Sequence, residues 1–125
     1  MDRLRFEELV RQAIDRLPQE LAEKLENVDV VVQDLPSTDQ SRRMGTGHRY
    51  MLLGLYEGVP LTRRGQFYGM VLPDKITLFQ TNIERKCGGD AGRIVREITS
   101  VVRHEVAHHF GISDERLRQI EKRNG

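Results

Sequence analysis

Val102-Arg103-His104-Glu105-Val106-Ala107-His108-His109-Phe110-Gly111-Ile112-Ser113-Asp114 is the stretch that decides how the chain is read, because it holds H-E-x-x-H followed by G-x-x-D. On a helix, His104 and His108 stand one turn apart on one face, where both imidazoles can address a single ion. Glu105, next along the chain, can then reach a water activated by that ion without ligating the metal, which makes it the candidate general base. Ordinary residue usage gives this motif by accident, in a chain this long, at a rate on the order of a few in a thousand. The flanks agree with a helix. Val101, Val102, Val106 and Phe110 recur at helical spacing, and Gly111 is the residue type that ends a helix in the left-handed conformation.

A hydrolytic zinc site commonly has three protein ligands and an open position for water, so two histidines leave one ligand to find. Asp114 lies just past Gly111, and a tight turn can swing its carboxylate back towards the imidazoles. An aspartate there equally suits the cap or the positive dipole end of a following helix, and both readings stand. His109 points about 100° round the helix from His108 and cannot share the ion in the same geometry, so it is read as a supporting or exposed residue. His48 and Tyr50 or Tyr68 are candidate donors to the oxyanion formed when water attacks a carbonyl. Cys87, a solitary thiol with no placed partner, reads as a small packing or surface residue.

Outward from the motif, Gly88-Gly89-Asp90 breaks the chain, and Asp90 is a natural N-cap for a helix from Ala91 to Phe110. At 1.5 Å per residue such a helix spans about 30 Å, with Ile94, Val95, Ile98, Val101 and Val102 facing a core. A last helix, capped by Ser113 or Asp114, is expected from Ser113 to Arg123 with Leu117 and Ile120 inward. At the other end, Leu4, Phe6, Leu9, Val10, Ala13, Ile14 and Leu17 form the apolar face of an amphipathic helix over about Arg3 to Arg16. Pro18 opens a second short helical pattern through Leu25.

Val28 to Gln33 is β-branched and predicts a strand at the centre of a sheet. Tyr50 to Tyr56 predicts a second strand, and Ile76 to Phe79 a third that immediately precedes the motif helix. The edge of that third strand can pair internally or accept a peptide as an added strand. Asp34 to His48 and Leu61 to Gly69 are too polar for core and read as loops. Arg42, Arg43, Arg49, Arg63 and Arg64 read as scattered surface charges rather than a phosphate-binding surface. The fold class is α+β.

The chain has 125 residues, 38% hydrophobic and 31% charged, which is enough apolar material for one modest core and predicts a single domain over 1–125. Twenty Lys and Arg against nineteen Asp and Glu leave a net charge of +1, which gives no overall drive towards nucleic acid or an anionic membrane. One cysteine excludes an intrachain disulfide and suits a reducing compartment. No apolar run is long enough for a bilayer, and the start Met-Asp-Arg-Leu-Arg-Phe is unlike a signal peptide, so the cytoplasm is the expected location.

The motif, together with Leu52-Leu53-Gly54-Leu55-Tyr56-Glu57-Gly58-Val59-Pro60-Leu61 and Leu72-Pro73-Asp74-Lys75-Ile76-Thr77-Leu78-Phe79, resembles the small bacterial zincin-like metallopeptidases over most of the chain. The resemblance implies a minimal zincin-like fold: N-terminal helices, a three- to four-stranded sheet, a long active-site helix and a short C-terminal helix. It also implies zinc on His104 and His108, Glu105 as base, Asp114 as third ligand, and a peptide or protein substrate. The form H-E-x-x-H-x-x-G-x-x-D looks like the extended metzincin-type motif with aspartate in place of its third histidine. The competing class is a zinc-dependent endoribonuclease of similar ligand spacing. That family's motif has a third histidine where this chain has Asp114 or Glu115, and a small residue where it has Glu105, so peptidase is the favoured reading. A structural zinc would close with four ligands, and no fourth candidate is evident.

Overall fold

Asp2 caps the first helix through its side chain, which accepts a hydrogen bond from the Arg5 amide at 2.8 Å. Helix α1 runs Arg3–Asp15 and buries Phe6, Leu9, Val10 and Ala13, one stripe at helical spacing. The computed structural model describes residues 1–43, 51–58 and 72–124. Pro18 precedes the short helix α2, Gln19–Ala22, and a 3-10 turn follows over Glu23–Leu25. Strand β1 is Val28–Gln33, α3 is Thr38–Arg43, β2 is Gly54–Glu57 and β3 is Asp74–Phe79. Helix α4, Gln80–Cys87, leaves β3 without a loop, and α5, Ala91–His109, and α6, Asp114–Asn124, complete an α+β fold.

Among the described residues three strands form one mixed sheet in the order β1-β3-β2, with β1 parallel and β2 antiparallel to β3. The expectation of a central Val28–Gln33 is therefore corrected: β1 is an edge strand, and β3 is the centre. The reason lies in the side chains. In β1 the residues alternate, with Val28, Val30 and Val32 half-buried and Asp29 and Val31 exposed, whereas Ile76, Thr77, Leu78 and Phe79 of β3 are buried on both faces. A strand paired on both sides has no edge to offer, so the added-strand reading of Ile76 to Phe79 falls with it.

Two further expectations change. Thr38–Arg43 lies in a stretch read as loop, yet it is helical because Ser37 and Gln40 cap it reciprocally. Ser37 Oγ accepts from the Gln40 amide at 3.0 Å, and Gln40 Oε1 accepts from the Ser37 amide at 2.9 Å. The third strand also does not run directly into the motif helix, since α4 intervenes. One face of the sheet carries the main core, in which Phe6, Leu9 and Ala13 of α1 meet Ile76 and Leu78 of β3 and Ile94, Ile98 and Val102 of α5. Fully burying each of the larger of these side chains contributes roughly 1.5–3 kcal/mol. Leu52, Leu55 and Phe79 form a smaller cluster. Among the described residues no helix is long and apolar enough to cross a membrane.

Candidate metal centre

Helix α5 begins where Asp90 Oδ1 accepts from the amides of Gly92 and Arg93 at 2.9 and 3.3 Å. It ends in a Schellman motif. The Ile112 amide reaches Ala107 O at 2.8 Å and the Gly111 amide reaches His108 O at 3.3 Å, with Gly111 at φ +68°. Between these stops the buried residues Ile94, Val95, Ile98, Val102 and Val106 fix the helix in the core. The motif side chains at its C-terminal end are thus placed by packing.

His104 Nδ1 lies 2.9 Å from Ser100 O, one turn back. A carbonyl oxygen only accepts, so Nδ1 carries a proton and Nε2 is the nitrogen left to address an ion. His108 is exposed; its ring centroid stands 6.3 Å from that of His104, with the planes tilted by 52°. Both imidazoles therefore belong to one side of the helix, as the spacing predicts.

Glu105 is half-buried, and its Oε1 accepts a hydrogen bond from the Tyr56 amide of β2 at 2.9 Å. That amide lies on the edge of β2 turned away from β3. Burial pushes the Glu105 carboxyl up from its ordinary range, opposed by the Tyr56 amide and by His108 and His104. A carboxylate so placed holds a proton more readily than an exposed one.

Asp114 is the first residue of α6 and is exposed. It does not serve as the side-chain cap: Ser113 Oγ accepts from the Arg116 amide at 3.1 Å. Its carboxylate instead lines a groove of about 310 Å3 with His104, Arg103, Leu117 and Arg118. Arg103 Nε, 2.9 Å from Glu121 Oε1, ties α6 to α5 beside this groove. Two imidazoles and a carboxylate are donors of the type zinc takes. Among the described residues no three His, Cys, Asp or Glu side chains are gathered closely enough to hold an ion together.

His109 is exposed and stacks on Tyr56, with centroids 3.8 Å apart and planes 16° off parallel. The Tyr56 hydroxyl donates to Asp74 Oδ2 at 2.7 Å, and His109 Nε2 stands 3.8 Å from the same oxygen. These residues brace β2 where its amide meets Glu105. Ser100, Tyr56 and Asp74 escape the sequence reading. Ser100 carries a signal, one turn ahead of His104, whereas Tyr56 and Asp74 carry none without the fold. His48, Tyr50, Tyr68, Arg49, Arg63 and Arg64 lie outside the described residues. Of the remaining arginines, Arg43 pairs with Asp39 at 2.9 Å and with Glu57 at 3.5 Å, in keeping with a surface role. Cys87 is buried, and that burial raises its thiol above the usual range, as suits a packing residue.

A second groove, of about 360 Å3, opens on the β2 side of His104 and Glu105. His104 thus stands where two grooves meet, one walled by β2 and α4 and the other by α6. A sequence model of a family described as zincin-like metallopeptidase matches residues 25–124. No curated protein matches the chain.

Proposed function

This chain belongs to the zincin-like metallopeptidase family, and on that premise we propose that it is a zinc-dependent peptidase with His104 and His108 as ligands, Asp114 as the third once its exposed carboxylate turns in towards them, and Glu105 as general base. The observation that carries the reading is the environment of Glu105: half-buried and held by the Tyr56 amide beside the two histidines. Zinc, when bound, supplies a Lewis acid that polarises the scissile carbonyl and acidifies water. Glu105 removes the proton from the attacking water at Oε2, since Oε1 is occupied by the Tyr56 amide, and delivers it to the departing amine. The Ser100 carbonyl keeps His104 in the tautomer that leaves Nε2 available. The chain is read as one domain over 1–125 acting in the cytoplasm, a location supported by its single cysteine.

The test has two parts. Protein refolded with zinc is expected to hold one ion per chain, and His104→Ala to hold none. Glu105→Gln is expected to keep the ion and lose peptide hydrolysis by about 10²–10⁴-fold, the range for loss of a general base. A mixed peptide library read by mass spectrometry, with structured RNA in parallel, reports the activity. Cleavage of peptides and intact RNA are expected. Normal turnover by Glu105→Gln would place the base elsewhere.

A further inference from the structure

The groove on the β2 side is lined by an ion pair that the proposed chemistry does not use. Lys86 Nζ, in the last turn of α4, lies 2.7 Å from Glu97 Oε1 on α5. Leu52, Leu53 and Val101 supply the groove's apolar lining, and Ser100, His104 and Glu105 line it as well. The rim is fixed, because the Leu52 carbonyl accepts from Asn82 Nδ2 at 2.7 Å and the Leu53 carbonyl from the Phe79 amide at 3.0 Å. Its volume of about 360 Å3 falls within the roughly 300–1,000 Å3 of ligand sites.

We infer that this groove is the specificity subsite of the peptidase proposed above and takes a basic side chain, whose cationic end replaces Lys86 on Glu97. The inference rests on that reading of the site for its substrate class. It follows from the asymmetry of the pair. Glu97 is 21% exposed and sits on the core helix, whereas Lys86 is 58% exposed on a flexible stem at the end of a short helix. An exposed pair of this kind holds by only about 0.2–1 kcal/mol, so Lys86 is readily displaced into water. An incoming ammonium or guanidinium then finds a partly desolvated carboxylate, while Leu52, Leu53 and Val101 cover its methylene stem. At the Lys86 end an incoming carboxylate would meet Glu97, whose carboxylate already holds the cation there, so an anionic side chain is disfavoured at that position.

The two members of the pair therefore act with opposite sign, which a merely structural ion pair does not. The zinc-loaded protein is offered peptides identical except for Lys, Leu or Glu beside the scissile bond. The kcat/KM ratio of the Lys to the Leu substrate is expected to be up to about fivefold, to fall to about one in Glu97→Gln, and to rise in Lys86→Ala. Equal rates on all three peptides, or both variants moving the ratio in the same direction, would overturn the inference. Binding is read separately, by titrating acetyl-Ala-Lys-Ala-amide and acetyl-Ala-Glu-Ala-amide into 15N-labelled protein. Amide shifts at Leu53, Glu97 and Val101 are expected with the lysine peptide alone. Such shifts without cleavage of any peptide would keep the groove and refute the peptidase, and no shifts with the lysine peptide would refute the groove.

Discussion

Glu105 combines two opposed influences, burial that disfavours its charge and a backbone amide that favours it, and burial is the larger. A carboxyl whose pKa is raised on folding binds more protons in the native state, so its contribution to stability is present at low pH and is lost as pH rises through the raised value. Glu105→Gln keeps an acceptor for the Tyr56 amide and removes the buried charge. In chelator-treated protein the variant is expected to be more stable than the parent at pH 7, with the difference shrinking below the ordinary glutamate value of about 4.3. Urea midpoints at pH 7 and pH 4 measure this, and an equal difference at both would show that burial does not govern the group. The candidacy of Glu105 is legible from five consecutive residues. Its partner is not, because Tyr56 lies 49 positions away and contributes only its backbone.

At the level of elements, the close approach of β2 to α5 decides where that amide sits. A Cβ at Gly54 would lie 2.5 Å from Val101 Cγ1 and 3.3 Å from Thr77 O, so no side chain fits between strand and helix. Gly54→Ala is expected to cost about 1–3 kcal/mol by overpacking. Val101→Ala in the same chain removes the clashing atom, so the double variant should lose less than the sum of the two single losses, with a coupling of about 0.5–3 kcal/mol in urea unfolding. Strict additivity would mean that β2 has room to shift. Helices α1, α5 and α6 are legible because their apolar residues recur at helical spacing and Asp90 and Gly111 mark the ends of α5. Helix α3 is equally written in Ser37-Thr38-Asp39-Gln40, whose capping signal the polarity of the segment conceals. The order of the strands is less accessible. β-Branched runs look alike whether a strand is central or at an edge, and only the alternation of Asp29 and Val31 outward distinguishes β1.

Over the whole molecule, the proposed ligands join α5 to α6: His104 and His108 end one helix, and Asp114 starts the next across the Gly111 turn. An ion bound across that junction stabilises the fold by mass action, by about 2.7 kcal/mol at free zinc a hundredfold above its Kd. The melting temperature is expected to rise on adding zinc and to return with chelator, while His108→Ala stays unresponsive; a parent protein indifferent to zinc would remove the metal from the account. The grooves are the part of the site that no local pattern announces. Lys86, Glu97, Arg103 and Arg118 look in sequence like any solvated charges, and become walls only when α4, α5 and α6 are assembled.

The contact between Tyr56 and Glu105 carries one more consequence. Because the donor is a main-chain amide, it does not depend on which side chain occupies position 56; every residue type except proline supplies it. Drift at that position alters the ring stacked on His109 and the hydroxyl bonded to Asp74, the contacts that brace the strand, without removing the amide that Glu105 accepts from. The donor itself thereby survives a change of side chain at position 56, whereas its placement relies on the packing around the strand.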